Sequence, residues 1–79
     1  MSNHLAGQVG RAVSVALLDA GRTKRSISDE TGIPYSTLNR KVAGKAEFSL
    51  SELLLIAEAI GTTPSALLPS GFRPSVSAA

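Results

Sequence analysis

The chemistry in this chain is concentrated in one run, from Arg22 to Lys45. Six of the eight lysines and arginines fall there (Arg22, Lys24, Arg25, Arg40, Lys41 and Lys45), opposed only by Asp29 and Glu30, so the run carries a net +4. Outside it, Arg11 and Arg73 stand against Asp19, Glu47, Glu52 and Glu58, a net −2. One contiguous third of the molecule is basic and the rest acidic, as a one-sided polyanion-binding face requires. Within the run, helical spacing sets Ser36, Arg40 and Ala43 on one face with Asn39 and Lys41 on its flanks, opposite Leu38 and Val42. That outward face carries hydroxyl, amide and guanidinium groups of different length and ends in positive charge.

Other chemistries lack their residues. There is no cysteine, which excludes disulfides, thiolate metal sites and a cysteine nucleophile. The one histidine, His4, lies at the N-terminal end and leaves no histidine-based metal cluster or catalytic dyad. The carboxylates are scattered on exposed helix faces, and no nucleophile–base pair or phosphate-cradling loop is present, so neither an enzyme, a cofactor nor a small-molecule ligand is expected. No apolar run approaches the roughly 18–20 residues that span a bilayer. The start also lacks the basic and apolar segments of a signal peptide, so a cytoplasmic protein without membrane partners is expected.

With 79 residues, 43% of them hydrophobic, the chain has material for one domain with one small core. The elements that position the basic run read as helices throughout. The first spans about Asn3 to Ala20, with Asn3 as N-cap, Gly21 at its end, and Leu5, Val9, Ala12, Val13, Ala16, Leu17 and Ala20 as its apolar stripe. Val15 and Leu18 lie off that stripe beside Arg11, to be covered by the C-terminal segment or by a second subunit. A short helix from Lys24 to Thr31 is capped by Thr23, anchored by Ile27 and closed by Gly32. A third runs from Pro34, suited to a first helical turn, to Ala43, with Gly44 after it. Leu38 and Val42 face inward, with Tyr35 at the edge of that face. Ser49-Leu50-Ser51-Glu52 matches a capping box and opens a helix to Ile60, with Leu50, Leu53, Leu54, Ile56, Ala57 and Ile60 on its buried side and Leu55 pointing away. Thr63-Pro64 begins a fifth, whose Leu67 and Leu68 close the core before Pro69. The expected fold is an all-α bundle of five short helices over residues 1–69, with residues 70–79 an extended or disordered tail.

The stretch from Lys24 to Lys45 resembles the helix-turn-helix of the phage repressor and Cro-like (XRE-type) family. Ile27 and Ser28 stand at the apolar and small positions of the motif's first helix. Gly32 stands at the turn, Ile33 after it, and Leu38 at the anchor of the second helix. Gly44-Lys45, the leucine-rich helix ending at Gly61, and Thr63-Pro64-Ser65-Ala66-Leu67-Leu68 extend the likeness over roughly residues 5–68. Ser28 departs from the usual alanine, and Lys41 stands where an apolar residue is common. The resemblance implies a lambda-repressor-like domain that places its second helix in the major groove of double-stranded DNA, with the N-terminal residues of that helix reaching base edges. Carried over residue by residue, it makes Ser36 and Arg40 the first candidates for base edges, then Tyr35 and Asn39. Lys24, Arg25, Thr37, Lys41 and Lys45 become the phosphate candidates.

The function implied is a sequence-specific transcriptional regulator of the phage or prophage repressor type. The rival reading is an antitoxin, which uses the same fold on operator DNA and also binds a protein toxin. A single recognition helix reads few base pairs, so a homodimer on DNA is expected, with Val15, Leu18, Leu55 and the segment around Phe72 as the apolar groups left for it. The terminal Ala78-Ala79 resembles a protease-engaging tag, against the plainer reading of an end that nothing packs on.

Overall fold

The computed structural model describes residues 3–69, with side chains from Leu5 onward, and every regular element among them is helical. Helix α1 covers Asn3–Asp19, α2 Lys24–Thr31, α3 Tyr35–Val42 and α4 Leu50–Ile60, and a single 3₁₀ turn follows at Pro64–Leu67. The expected fifth helix is thus one tight turn. Pro69, two residues beyond it, leaves no room for a longer helix. The expectations for the tail, including Phe72 and the Ala78-Ala79 end, lie outside the described residues.

Local chemistry sets most of the boundaries. The Thr23 side chain accepts a hydrogen bond from the Ser26 N–H at 3.0 Å and caps α2. Ser49 and Glu52 form the full capping box at the start of α4: Glu52 N–H donates to Ser49 Oγ at 3.1 Å, and Ser49 N–H donates to Glu52 Oε1 at 2.8 Å. Pro34 is the N-cap of α3 instead of its first helical residue, at φ −56° and ψ 140°, and its carbonyl accepts from Leu38 N–H at 2.9 Å. Asn3 is likewise the first residue of α1 and not its cap.

The core joins all five elements. Val13 and Leu17 of α1, Ile27 of α2, Ile33 of the turn, Leu38 of α3, Leu53, Ile56 and Ala57 of α4, and Leu67 of the 3₁₀ turn form one buried cluster. No polar side chain is buried among the described residues. The buried face of α1 is rotated from the expected stripe: Ala6 and Gly10 are buried, whereas Leu5 and Ala20 at the two ends are exposed. The leucine-rich helix also differs from expectation, with Leu50 70% and Leu54 48% exposed. Residues Leu53, Ile56, Ala57 and Ile60 repeat at helical spacing and define the inward arc. Leu54 lies about 100° around the axis from Leu53, on the flank of that arc, and Leu50 sits in the first turn beyond the neighbours.

The smallest residues make the closest approach. A Cβ placed on Gly10 would stand 2.3 Å from the Val42 carbonyl oxygen and 2.9 Å from that of Lys41. The middle of α1 therefore rests on the backbone at the end of α3, with no side chain between them. Gly44, at φ +82°, continues this contact, because a Cβ there would meet the Gly7 Cα at 2.9 Å. The orientation of α3 is fixed against α1 at its C-terminal end and against α2 through the turn at its N-terminal end.

Candidate nucleic-acid interface

The turn between α2 and α3 is wired by backbone and hydroxyl groups. Gly32, at φ +84°, takes the left-handed conformation that the turn requires, and its N–H donates to Ser28 carbonyl oxygen at 3.0 Å. Ser28 Oγ donates across the turn to the Ile33 carbonyl at 2.6 Å. Thr31 Oγ1 donates to the Ile27 carbonyl at 2.7 Å and accepts from Ile33 N–H at 3.2 Å. Serine in place of the usual alanine at position 28 thus adds a tie between α2 and the turn that leads into α3. The hydroxyl of Thr31 serves the turn too, a role that the sequence reading did not assign.

This framework turns one face of α3 to solvent. Ser36, Arg40 and Ala43 are exposed, and Tyr35, Thr37 and Asn39 are half-buried, while Leu38 is fully buried behind them. Arg40 and Ser36 are one turn apart, so their side chains share a stripe. Lys45 is exposed just past the helix end, where its N–H donates to the Arg40 carbonyl at 2.9 Å. At the other end, Lys24 is half-buried and Arg25 exposed in the first turn of α2. The Arg25 guanidinium lies over the Tyr35 ring, 4.0 Å from its centroid. Lys24, Arg40 and Lys45 make no ion pair among the described residues, and Arg40 and Lys45 are exposed.

Two cations of the basic run are paired with carboxylates. Lys41 Nζ donates to both carboxylate oxygens of Glu52 at 2.7 Å each, and the pair is largely shielded. Through this pair Lys41, one of the phosphate candidates, joins the end of α3 to the start of α4. Arg22 pairs with Glu30, donates from Nε to Ser26 Oγ at 3.2 Å, and donates from Nη1 to the Ala59 carbonyl at 3.0 Å. It links the α1–α2 connection to the far end of α4. Neither pairing was legible from local sequence, because the partners lie 11 and 8 residues apart and meet only in the folded chain.

Glu52 carries a pH signature. Burial alone pushes its carboxyl up. The Lys41 hydrogen bonds and charge, with the bonds from Ser49, overcome this and hold it below the ordinary value of 4.5. A carboxyl lowered in the folded state stabilises the fold above its unfolded-state value, and that contribution is lost as pH falls through the lower folded-state value. Acidification from neutral pH to below 4 should therefore weaken the wild type more than Glu52→Gln, which has no charge to lose. Urea midpoints measured across that range check this; equal acid sensitivity in the two chains would remove Glu52 as a contributor.

Among the described residues no helix is long and apolar enough to cross a membrane, and no group of three or more His, Asp or Glu side chains is placed to hold a metal ion. No curated protein and no solved structure shows significant similarity to the chain. A family model described as Helix-turn-helix matches residues 16–67, more than half of the chain, from the last turn of α1 through the 3₁₀ turn. Its match takes in the wired turn, the solvent-facing stripe of α3 and the cations beside it, and on that footing the chain belongs to the Cro/XRE-type helix-turn-helix family of DNA-binding regulators.

Proposed function

We propose that the protein is a sequence-specific transcriptional regulator of the phage or prophage repressor type, in which residues 1–69 form the DNA-binding domain and α3 enters the major groove. The observation that carries this reading is the exposed Ser36–Arg40 stripe on a helix held from both ends. A reading head of this kind needs side chains free to meet base edges and a backbone that is not free to move. In this assignment Ser36 and Arg40 meet base edges, with Asn39 beside them. Lys24, Thr37 and Lys45 meet phosphates. Lys41 has a positioning role through Glu52.

Selection of binding sites from randomised duplex DNA, followed by affinity measurement on the selected site and on unrelated duplex, tests the proposal. Affinity should fall steeply with salt, because each phosphate neutralised by a cation releases condensed counterion. Lys24→Ala should weaken binding by a similar factor on both duplexes and reduce the salt slope by about one contact. A loss confined to the selected site would take Lys24 away from phosphate, and failure to enrich any sequence would overturn sequence-specific regulation.

The functional unit is proposed to be a homodimer on DNA with half-sites about one helical turn apart. Among the described residues Val15, Leu18 and Leu55 are exposed, as a subunit interface needs, and Leu18 is the most open at 79%. Leu50 and Leu54 form a second exposed apolar pair on α4. Sedimentation on the selected site should show two chains per duplex. Leu18→Glu or Leu54→Glu, whichever lies in the contact, should reduce the complex to one chain with weaker binding. A wild-type one-to-one complex on an asymmetric site would sink the dimer.

A further inference from the structure

The contact between Arg25 and Tyr35 joins two side chains that the sequence treats separately. Arg25 is the second residue of α2 and Tyr35 the first of α3, so the contact spans the motif at the end where α3 begins. The guanidinium carbon lies 4.0 Å from the ring centroid, a stacking distance at which the cation meets the negative face of the ring. Arg25 is exposed, has no carboxylate partner among the described residues, and Tyr35 is half-buried. A half-buried ring thus lies under an exposed arginine.

Stacking uses the face of a guanidinium and leaves its edges free. The N–H donors lie in the plane and match two acceptors set side by side. On double-stranded DNA such a pair is offered by the O6 and N7 of a guanine or by two oxygens of a phosphate. A lysine in the same place could supply charge but not the planar fork.

We propose that Arg25 and Tyr35 act as one unit, in which the Tyr35 ring sets the Arg25 guanidinium for a paired acceptor on DNA. Tyr35 is then a positioning residue that acts through Arg25, and α2 adds a directional contact beside the stripe of α3. The inference rests on the DNA-binding reading above and deepens it.

Tyr35 is the only tyrosine and there is no tryptophan, so the near-ultraviolet circular dichroism of the free protein reports this ring with little else. Arg25→Ala should change that tyrosine band while leaving the helical signal intact. On DNA, affinities of the wild type, Arg25→Ala, Tyr35→Ala and the double variant form a cycle, extended by Arg25→Lys and Tyr35→Phe. The expected result is about a tenfold loss for Arg25→Ala, a similar loss for Arg25→Lys, and almost no further loss when Tyr35→Ala is added to Arg25→Ala. Tyr35→Phe keeps the ring, so adding Arg25→Ala to it should cost about the same tenfold as in the wild type, which holds the test open if Tyr35→Ala fails to fold. A loss confined to the selected site identifies a guanine edge, and an equal loss on unrelated duplex identifies a phosphate; either fits the paired-acceptor chemistry. Additive losses, or full binding by Arg25→Lys, would overturn the unit. A wild type that binds neither duplex at low salt would remove the DNA reading itself, and the ligand with it.

Discussion

Gly10→Ala should be among the most damaging single-methyl additions this domain can receive, while Gly7→Ala, one turn earlier on the same helix, should stabilise it. Both replace a helical glycine by the best helix former, which alone is worth about 1 kcal/mol in favour of alanine. At Gly7 the added Cβ meets nothing within 4 Å, so the helical gain stands. At Gly10 it falls 2.3 Å from the Val42 carbonyl oxygen, and the atoms in the way are backbone, which cannot rotate aside. Helices α1 and α3 must separate, and overpacking of this kind costs about 3 kcal/mol or more. For a domain of this size that is a drop of roughly 15 °C in Tm, against a rise of roughly 5 °C for Gly7→Ala. Because Val42 ends α3, the same methyl group should also weaken DNA binding at temperatures where the chain remains folded. Thermal unfolding of the two variants beside the wild type checks the pair. A Gly10→Ala protein as stable as the wild type would show that α1 does not bear on the end of α3.

That contact also shows where sequence reading runs out. The apolar stripe of α1 was placed by hydrophobicity, which weighs Leu5 and Ala20 above a glycine. Burial instead follows closeness of approach, and Ala6 and Gly10 are inside because their small size lets the α3 backbone come near. The placement of Leu50 and Leu54 failed for a related reason. With so many apolar residues in α4, the pattern fixes helicity but leaves the rotation loose, and only the neighbours determine that Leu53, Ile56 and Ala57 turn inward. Caps and turns were more legible. Thr23, the Ser49–Glu52 box, and Gly32 and Gly61 at the helix ends act on backbone groups within a few residues, so their types and spacing contain the whole interaction.

The candidate interface divides along the same line. That Ser36, Arg40 and Ala43 face outward while Leu38 faces inward follows from helical period and one buried anchor. That Lys41 is engaged by Glu52, and that Arg25 lies on Tyr35, depends on how separate elements meet. A basic run read from sequence overstates the charge available to a ligand, since two of its six cations, Arg22 and Lys41, are held by carboxylates. Those pairs spend their charge on orienting helices. Of the remaining four, Lys24 and Arg25 lie in the first turn of α2, Arg40 on the open face of α3 and Lys45 just past its end, and the fixed framework sets what each can touch.

Arg40→Ala should therefore cost specificity more than it costs general affinity. Arg40 is exposed on α3 one turn after Ser36, and no carboxylate holds it among the described residues. Its backbone is restrained at the helix end, because its carbonyl accepts from Lys45 N–H at 2.9 Å. A guanidinium presented in this way can bind guanine O6 and N7 together, and losing such a contact costs about 1–3 kcal/mol, roughly 5- to 150-fold in affinity. The loss should appear on the selected site and shrink on a duplex changed at the one base pair Arg40 reads, since that duplex has already lost the contact. On unrelated DNA the variant should lose only the smaller, salt-sensitive part due to one positive charge. Arg40→Lys separates the two contributions: it retains the charge, so binding to unrelated duplex should recover, whereas discrimination at that base pair should not, because an ammonium lacks the planar fork. Affinities of the three proteins on the three duplexes, at two salt concentrations, measure every part of this expectation. If Arg40→Ala loses equally on selected and unrelated duplex, and Arg40→Lys restores both, Arg40 is a phosphate contact, and base reading must rest on Ser36 and its neighbours.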